Sequence, residues 1–168
     1  MIDTGVKPEN IILFGHSFGG AIASEVLKYF TDKNIKLGGV IFTSTFSSFH
    51  NAIKHFPIPQ AKILSVLPSC VLKKMLKVLN LDLDIVNNIR ELQNKNIPIV
   101  VINHERDTLI PYPAQLAKAV EDDLLLNRNP IKIVNLRGFT DDPHNGVLSS
   151  WELSKNLADL IPNKTINR

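Results

Sequence analysis

A single cysteine, Cys70, rules out an internal disulfide. It lies in an apolar, helical-looking stretch, which predicts a buried, reduced thiol rather than a nucleophile. Neither charge sign dominates: 19 Lys and Arg stand against 16 Asp and Glu in 168 residues, for a net charge of +3. The basic residues form no stripe that could follow a phosphate backbone, so no nucleic-acid partner is expected. No charged segment followed by an apolar one opens the chain, and no uninterrupted apolar run is long enough to cross a bilayer. The default these absences leave is a soluble, cytoplasmic protein. Metal-binding patterns are missing too, with no His-x-x-x-His helix and no Cys-x-x-Cys pair. No Gly-rich loop ends in Lys-Ser or Lys-Thr, and the Gly15–Gly20 stretch is no dinucleotide fingerprint, because Ser17 takes its third position. The expectation is chemistry without a metal or cofactor.

What is present is an ordinary globular composition, 44% apolar and 21% charged, enough for one domain with a real core. Its organising stretch is Gly15-His16-Ser17-Phe18-Gly19-Gly20. It follows the apolar run Asn10-Ile11-Ile12-Leu13-Phe14 and precedes the helical-looking Ala21-Ile22-Ala23-Ser24-Glu25-Val26-Leu27. Strand, Gly-x-Ser-x-Gly turn and helix together are the context of a nucleophile elbow. So sharp a reversal strains the serine, and Gly15 and Gly19 are expected to remove collisions with neighbouring backbone. Ser17 then stands at the head of a helix, where orphan N–H groups favour a developing oxyanion.

Along the chain, Gly5 and Pro8 bracket a loop into the first strand, and Ile22, Val26, Leu27 and Phe30 are expected on the inner face of the first helix. Gly38-Gly39-Val40-Ile41-Phe42-Thr43-Ser44 reads as a strand covered on both faces. Residues 46–96 show no strand. Phe56-Pro57-Ile58-Pro59 breaks the chain, 61–79 reads as one amphipathic helix carrying Lys62, Lys73, Lys74 and Lys77, and another helix spans Leu83 to Leu92. Ile97-Pro98-Ile99-Val100-Val101-Ile102-Asn103 is the third strand. Residues 113–127 read as a helix with Leu116, Ala117, Val120, Leu124 and Leu125 inside, and 127–130 as a turn. Ile131-Lys132-Ile133-Val134-Asn135-Leu136 alternates like an edge strand, and a closing helix from Trp151 stops at Pro162. Strand and helix alternation predicts parallel pairing.

Residues 11–20 resemble the nucleophile motif of the α/β-hydrolase superfamily, whose members are mostly serine hydrolases. The resemblance implies a three-layer αβα fold with a mostly parallel sheet of about four strands, the second half of that fold. The family places about four further strands earlier, so residues 1–168 read as one domain lacking them, either a fragment of a longer protein or a shortened gene product. Residues 46–96 correspond to a lid-like helical insertion, which could dock on the core, receive an acyl chain or rest on a membrane surface. The stretch Val40-Ile41-Phe42-Thr43-Ser44-Thr45-Phe46-Ser47-Ser48 is similar to small hydrolases related to serine aminopeptidases, lysophospholipases and deacylases.

The same resemblance implies the remaining site residues. His104-Glu105-Arg106-Asp107-Thr108-Leu109-Ile110-Pro111 follows the third strand as the family's acid loop does, with Asp107 in the acid position. Glu105 is the fallback, and Asp107 as a loop or capping residue paired with Arg106 is the bland reading. His144-Asn145-Gly146, after the last strand, looks like the family's base. His16, His50, His55 and His104 are the competing histidines. The implied mechanism has His144 take the Ser17 proton, Ser17 attack an ester, thioester or amide of a small-molecule or acyl substrate, and Asp107 orient His144. The Phe18 N–H supplies one oxyanion donor, the second coming in the family from an earlier loop. The rival is an inactive remnant acting as an interaction module, pairing with a copy of itself or another chain through an exposed sheet edge.

Overall fold

Two runs of β-branched residues, Gly39–Thr43 and Ile99–His104, are buried on both faces and form the centre of the sheet. The computed structural model of the chain describes residues 5–92, 95–123, 126 and 131–160. Leu124, Leu125, the turn at 127–130 and the stop at Pro162 lie outside them. The elements run β1 (Ile12–His16), α1 (Phe18–Asp32), β2 (Gly39–Thr43), α2 (Phe49–His55), α3 (Pro59–Ser65), α4 (Ser69–Val78), α5 (Ile85–Glu91), β3 (Ile99–His104), α6 (Leu116–Asp122), β4 (Ile131–Leu136) and α7 (Trp151–Leu160).

The four strands lie in chain order and every pairing is parallel, with Leu13 opposite Val40, Val40 opposite Ile99 and Ile99 opposite Ile131. All four strands therefore end on one side of the sheet, at His16, Thr43, His104 and Leu136. Pleating sends alternate residues to opposite layers. Val40, Phe42, Ile99 and Val101 pack with Leu27, Ile89, Leu116 and Val120 from α1, α5 and α6. Ile41, Val100 and Ile102 pack with Leu153 and Leu157 of α7. This is the expected three-layer αβα architecture. β1 and β4 are the edges, and Lys132 on β4 meets Asp159 at 3.7 Å.

Helix detail departs from the periodicity reading in four places. In α1 the inner face is made of Gly20, Ala21, Ala23, Ser24, Leu27 and Thr31, while Ile22 is 54% exposed. Close approach at Gly20 pins the rotation of the first turn, so small residues face the sheet and Ile22 faces out. The single helix expected over 61–79 is two, α3 and α4. Pro68 separates them, since it donates no hydrogen bond and pushes the preceding residue out of the helical region. Cys70 is exposed, not buried. α4 buries Leu72 and Leu76 against Ile53, and a residue two positions before Leu72 points to about the opposite side of a 3.6-residue helix. Finally, α6 begins only at Leu116, after a short turn at Tyr112–Ala114. There Gln115 bridges Phe46 and the Leu116 N–H bonds to Thr45 O at 3.0 Å.

Candidate active site

Ser17 lies between β1 and α1 with φ 52° and ψ −124°, a conformation that costs a non-glycine residue about 1–3 kcal/mol. Three hydrogen bonds impose it. Ser17 N–H donates to Thr43 O at 2.9 Å, while Ser17 O accepts from the Thr45 hydroxyl at 2.7 Å and from Gly20 N–H at 3.0 Å. The side chain does not cap the helix it precedes, which leaves the hydroxyl for other work. A Cβ on Gly15 would stand 2.6 Å from Gly20 Cα and 2.7 Å from Gly19 O, and one on Gly20 would stand 2.7 Å from Thr45 Cβ. A Cβ on Gly19 would meet nothing within 4 Å. The glycines that permit the turn are thus Gly15 and Gly20, and the steric role expected of Gly19 is not observed. The N–H groups of Phe18 and Gly19, in the first turn of α1, have no partner in the preceding turn.

The structure brings Asp107 and His144 together from loops 37 residues apart. His144 Nδ1–H donates to Asp107 Oδ2 at 2.7 Å, with both residues buried. The other carboxylate oxygen accepts from the Leu109 and Ile110 N–H groups, each at 2.9 Å. Asp107 is therefore both a turn-capping residue and the partner of His144. With its proton on Nδ1, His144 keeps a lone pair on Nε2, the form a general base requires. Beneath this pair, Gln115 donates to His104 O and Ile110 O and accepts from Asn103 at 2.7 Å, all in the interior. Ser44 Oγ donates to His144 O at 2.7 Å. Ser17 and His144 are thus both fastened to the segment 43–45. Among the described residues, no hydrogen bond joins the Ser17 hydroxyl to His144; such contacts commonly tighten only when substrate is bound.

The other candidates fall elsewhere. Glu105 pairs with Arg137 at 2.7 Å near the surface. His104 is spent on structure, donating to Gly138 O at 2.8 Å and accepting from Arg106 N–H. His55 bonds Asn51 O in α2, and His50 is pushed below the ordinary histidine range, first by burial and then by Lys54.

His16, a histidine without an assigned role in the motif, is built into the site. Its ring centroid lies 5.0 Å from that of His144. Nε2–H donates to Asn145 Oδ1 at 3.2 Å, and Nδ1 accepts from the Thr43 hydroxyl at 3.0 Å. This tautomer follows from the Asn145 amide, whose nitrogen is committed to Asp142 Oδ2 at 2.7 Å. That bond also holds the Asp142 carboxyl below its usual range. Burial, foremost, lowers the His16 pKa from 6.5, and His144 adds to the lowering. Such a histidine takes up its proton first in the unfolded chain, so its contribution is complete above pH 6.5 and declines as pH falls through that value towards the folded pKa. The melting temperature is expected to drop below that pH, and to drop less in His16→Gln, as thermal melts across a pH series would show.

The architecture matches part of the α/β-hydrolase fold. No family model matches the chain. It is 22% identical over 165 residues to Lysophosphatidylserine lipase ABHD12 of Danio rerio, an alignment covering 93% of this chain and 41% of that protein. An α/β hydrolase from Vibrio vulnificus superposes with a TM-score of 0.61 at 19% identity, over 95% of this chain and 50% of its own. An acylaminoacyl peptidase from Pyrococcus horikoshii superposes with a TM-score of 0.63 at 12% identity, over 99% of this chain and 26% of its own. The chain thus spans half or less of the length of each of these relatives.

Proposed function

We propose that the chain is a serine hydrolase that cleaves acyl esters, thioesters or amides through an acyl-enzyme. The observation that carries this reading is the strained Ser17 at the head of α1, with the buried His144–Asp107 pair fastened to the same segment, 43–45. His144 Nε2 removes the Ser17 proton as Oγ attacks the carbonyl carbon, and the Phe18 N–H donates to the oxyanion. The proton passes from His144 to the leaving group as its bond breaks. Water then attacks the acyl-enzyme, giving its proton to His144, which returns it to Ser17 Oγ. Asp107 holds the imidazole in the required tautomer throughout.

A lipid ester is the first substrate class to test. The zebrafish relative is named for a lysophospholipid, and Phe18 beside the nucleophile, half-exposed, packs edge-on to Phe49 at 5.7 Å and against Phe46 at 6.1 Å. That aromatic wall suits an acyl chain. A fluorophosphonate probe is expected to label the purified chain and to leave Ser17→Ala unlabelled. Hydrolysis of a p-nitrophenyl ester should fall by about 10⁴–10⁶ in that variant. Failure to label a chain that melts cooperatively would favour the second reading, a non-catalytic module. β1 supports that alternative: it is an edge strand paired only to β2 among the described residues, with Phe14 45% exposed.

A further inference from the structure

Between Asp32 and Asp82 the sequence contains no carboxylate residue, and over 46–81 its ionised side chains are five lysines, Lys54, Lys62, Lys73, Lys74 and Lys77. Since the whole chain is only +3, the remainder is net negative. Elsewhere five cations among the described residues, Lys28, Arg90, Lys118, Lys132 and Arg137, form ion pairs. Among the described residues, Lys62, Lys73, Lys74 and Lys77 enter no ion pair.

The same segment is apolar where it is exposed. Ile63 is 73% exposed, Val66 80%, Val78 76% and Leu79 58%. On α4 and its C-cap, Val71, Met75, Val78 and Leu79 recur at i, i+4, i+7 and i+8, so they share one side of the helix. With Lys74 they line an open, apolar groove of about 400 Å³. The residues that attach α4 to the domain are different ones, Leu72 and Leu76. This stripe is surplus to the packing.

We infer that α4 docks this face on an anionic lipid surface, with the apolar stripe among the acyl chains and Lys74, which borders the groove, at headgroup phosphates. Apart from Met75 the stripe is aliphatic, without the Trp, Tyr and Arg that dominate protein–protein hot spots. Lysine stems bury readily at a bilayer interface while their ammonium groups stay hydrated. The 10-residue α4 lies on a membrane rather than crossing it, and no described helix is long and apolar enough to cross. Phe49 packs on the Leu72–Leu76 cluster and also on Phe18. Docking is therefore connected to the residue beside Ser17 through α4, Phe49 and Phe18, a consequence that rests on the hydrolase reading, whereas the docking itself does not.

The test is co-sedimentation of the full chain with vesicles of phosphatidylcholine, with and without phosphatidylserine. Binding is expected only to the anionic vesicles and should weaken with salt. Lys74→Gln should lower partitioning about fivefold, and Val78→Asp should abolish it while melting like the parent. Ser17→Ala should bind as the parent does, which separates this surface from the site. A folded chain that ignores anionic vesicles would overturn the proposal, as would equal binding to neutral ones or binding that survives both the lysine and the Val78 changes. So would a Val78-dependent dimer in gel filtration without vesicle binding, because the stripe would then belong to a second copy.

Discussion

Asp107→Asn is expected to lower kcat about ten-thousandfold while leaving the fold and the melting temperature nearly unchanged. The reason is in how the two carboxylate oxygens are used. Oδ1 accepts from the Leu109 and Ile110 N–H groups at 2.9 Å each, and Oδ2 accepts from His144 Nδ1–H at 2.7 Å. An asparagine has one acceptor and one donor end. Two backbone donors claim the oxygen, so the NH₂ must face His144. Two N–H groups cannot face each other in the interior without loss, so His144 moves its proton to Nε2 and accepts at Nδ1. Nε2 then has no lone pair for the Ser17 proton. The measurement is kcat on a p-nitrophenyl ester beside a thermal melt. Asp107→Ala separates the two roles of the side chain: it should lose activity and also stability, because the Leu109 and Ile110 donors lose their acceptor. An Asp107→Asn enzyme within tenfold of the parent would remove Asp107 from the mechanism.

The positions of the candidate residues were legible because the strand ends announce them. Ser17, Asp107 and His144 each follow a readable strand, and parallel strands deliver their C-terminal ends to one side of the sheet. What holds those residues in place was not legible. The Ser44 bond to His144 O spans 100 residues, and the His16 bond to Asn145 spans 129. No periodicity encodes such pairs. One signal was available for His16, since the residue just before the nucleophile ends β1 at the same edge as Thr43 and must share the site.

The strands were easier to read than the helices for a physical reason. β2 and β3 are covered on both faces, so their unbroken β-branched runs admit one reading. A helix face depends on what it is pressed against. In α4, apolar residues lie on both sides, and only packing onto Ile53 decides that Leu72 and Leu76 go in while Val71 and Val78 stay out. Cys70 was misplaced for the same reason. Ile22 lost its inward place to Ala21 and Ala23 because the elbow, not hydrophobicity, sets the rotation of α1.

That control by the elbow makes the glycines of the motif unequal, and a paired substitution exposes the difference. A Cβ at Gly15 would lie 2.6 Å from Gly20 Cα, 2.7 Å from Gly19 O and 2.9 Å from Ala23 Cβ. None of these is the movable end of a long side chain, so relief requires α1 to lift from β1. Gly15→Ala is expected to cost about 1–3 kcal/mol or more, which for a chain of this size lowers the melting temperature by roughly 2–4 °C per kcal/mol. Labelling of Ser17 should weaken with it, since the bond from Thr45 to Ser17 O is drawn across the same contact. Gly19 occupies the second position of α1 with open space where a Cβ would go. Gly19→Ala removes unfolded-chain freedom without a clash and should raise stability by up to about 1 kcal/mol. Melts of the two variants beside the parent decide the matter. Equal losses at Gly15 and Gly19 would show that the turn is held by the sequence pattern as a whole. Opposite signs would show that it is held by one contact between β1 and α1.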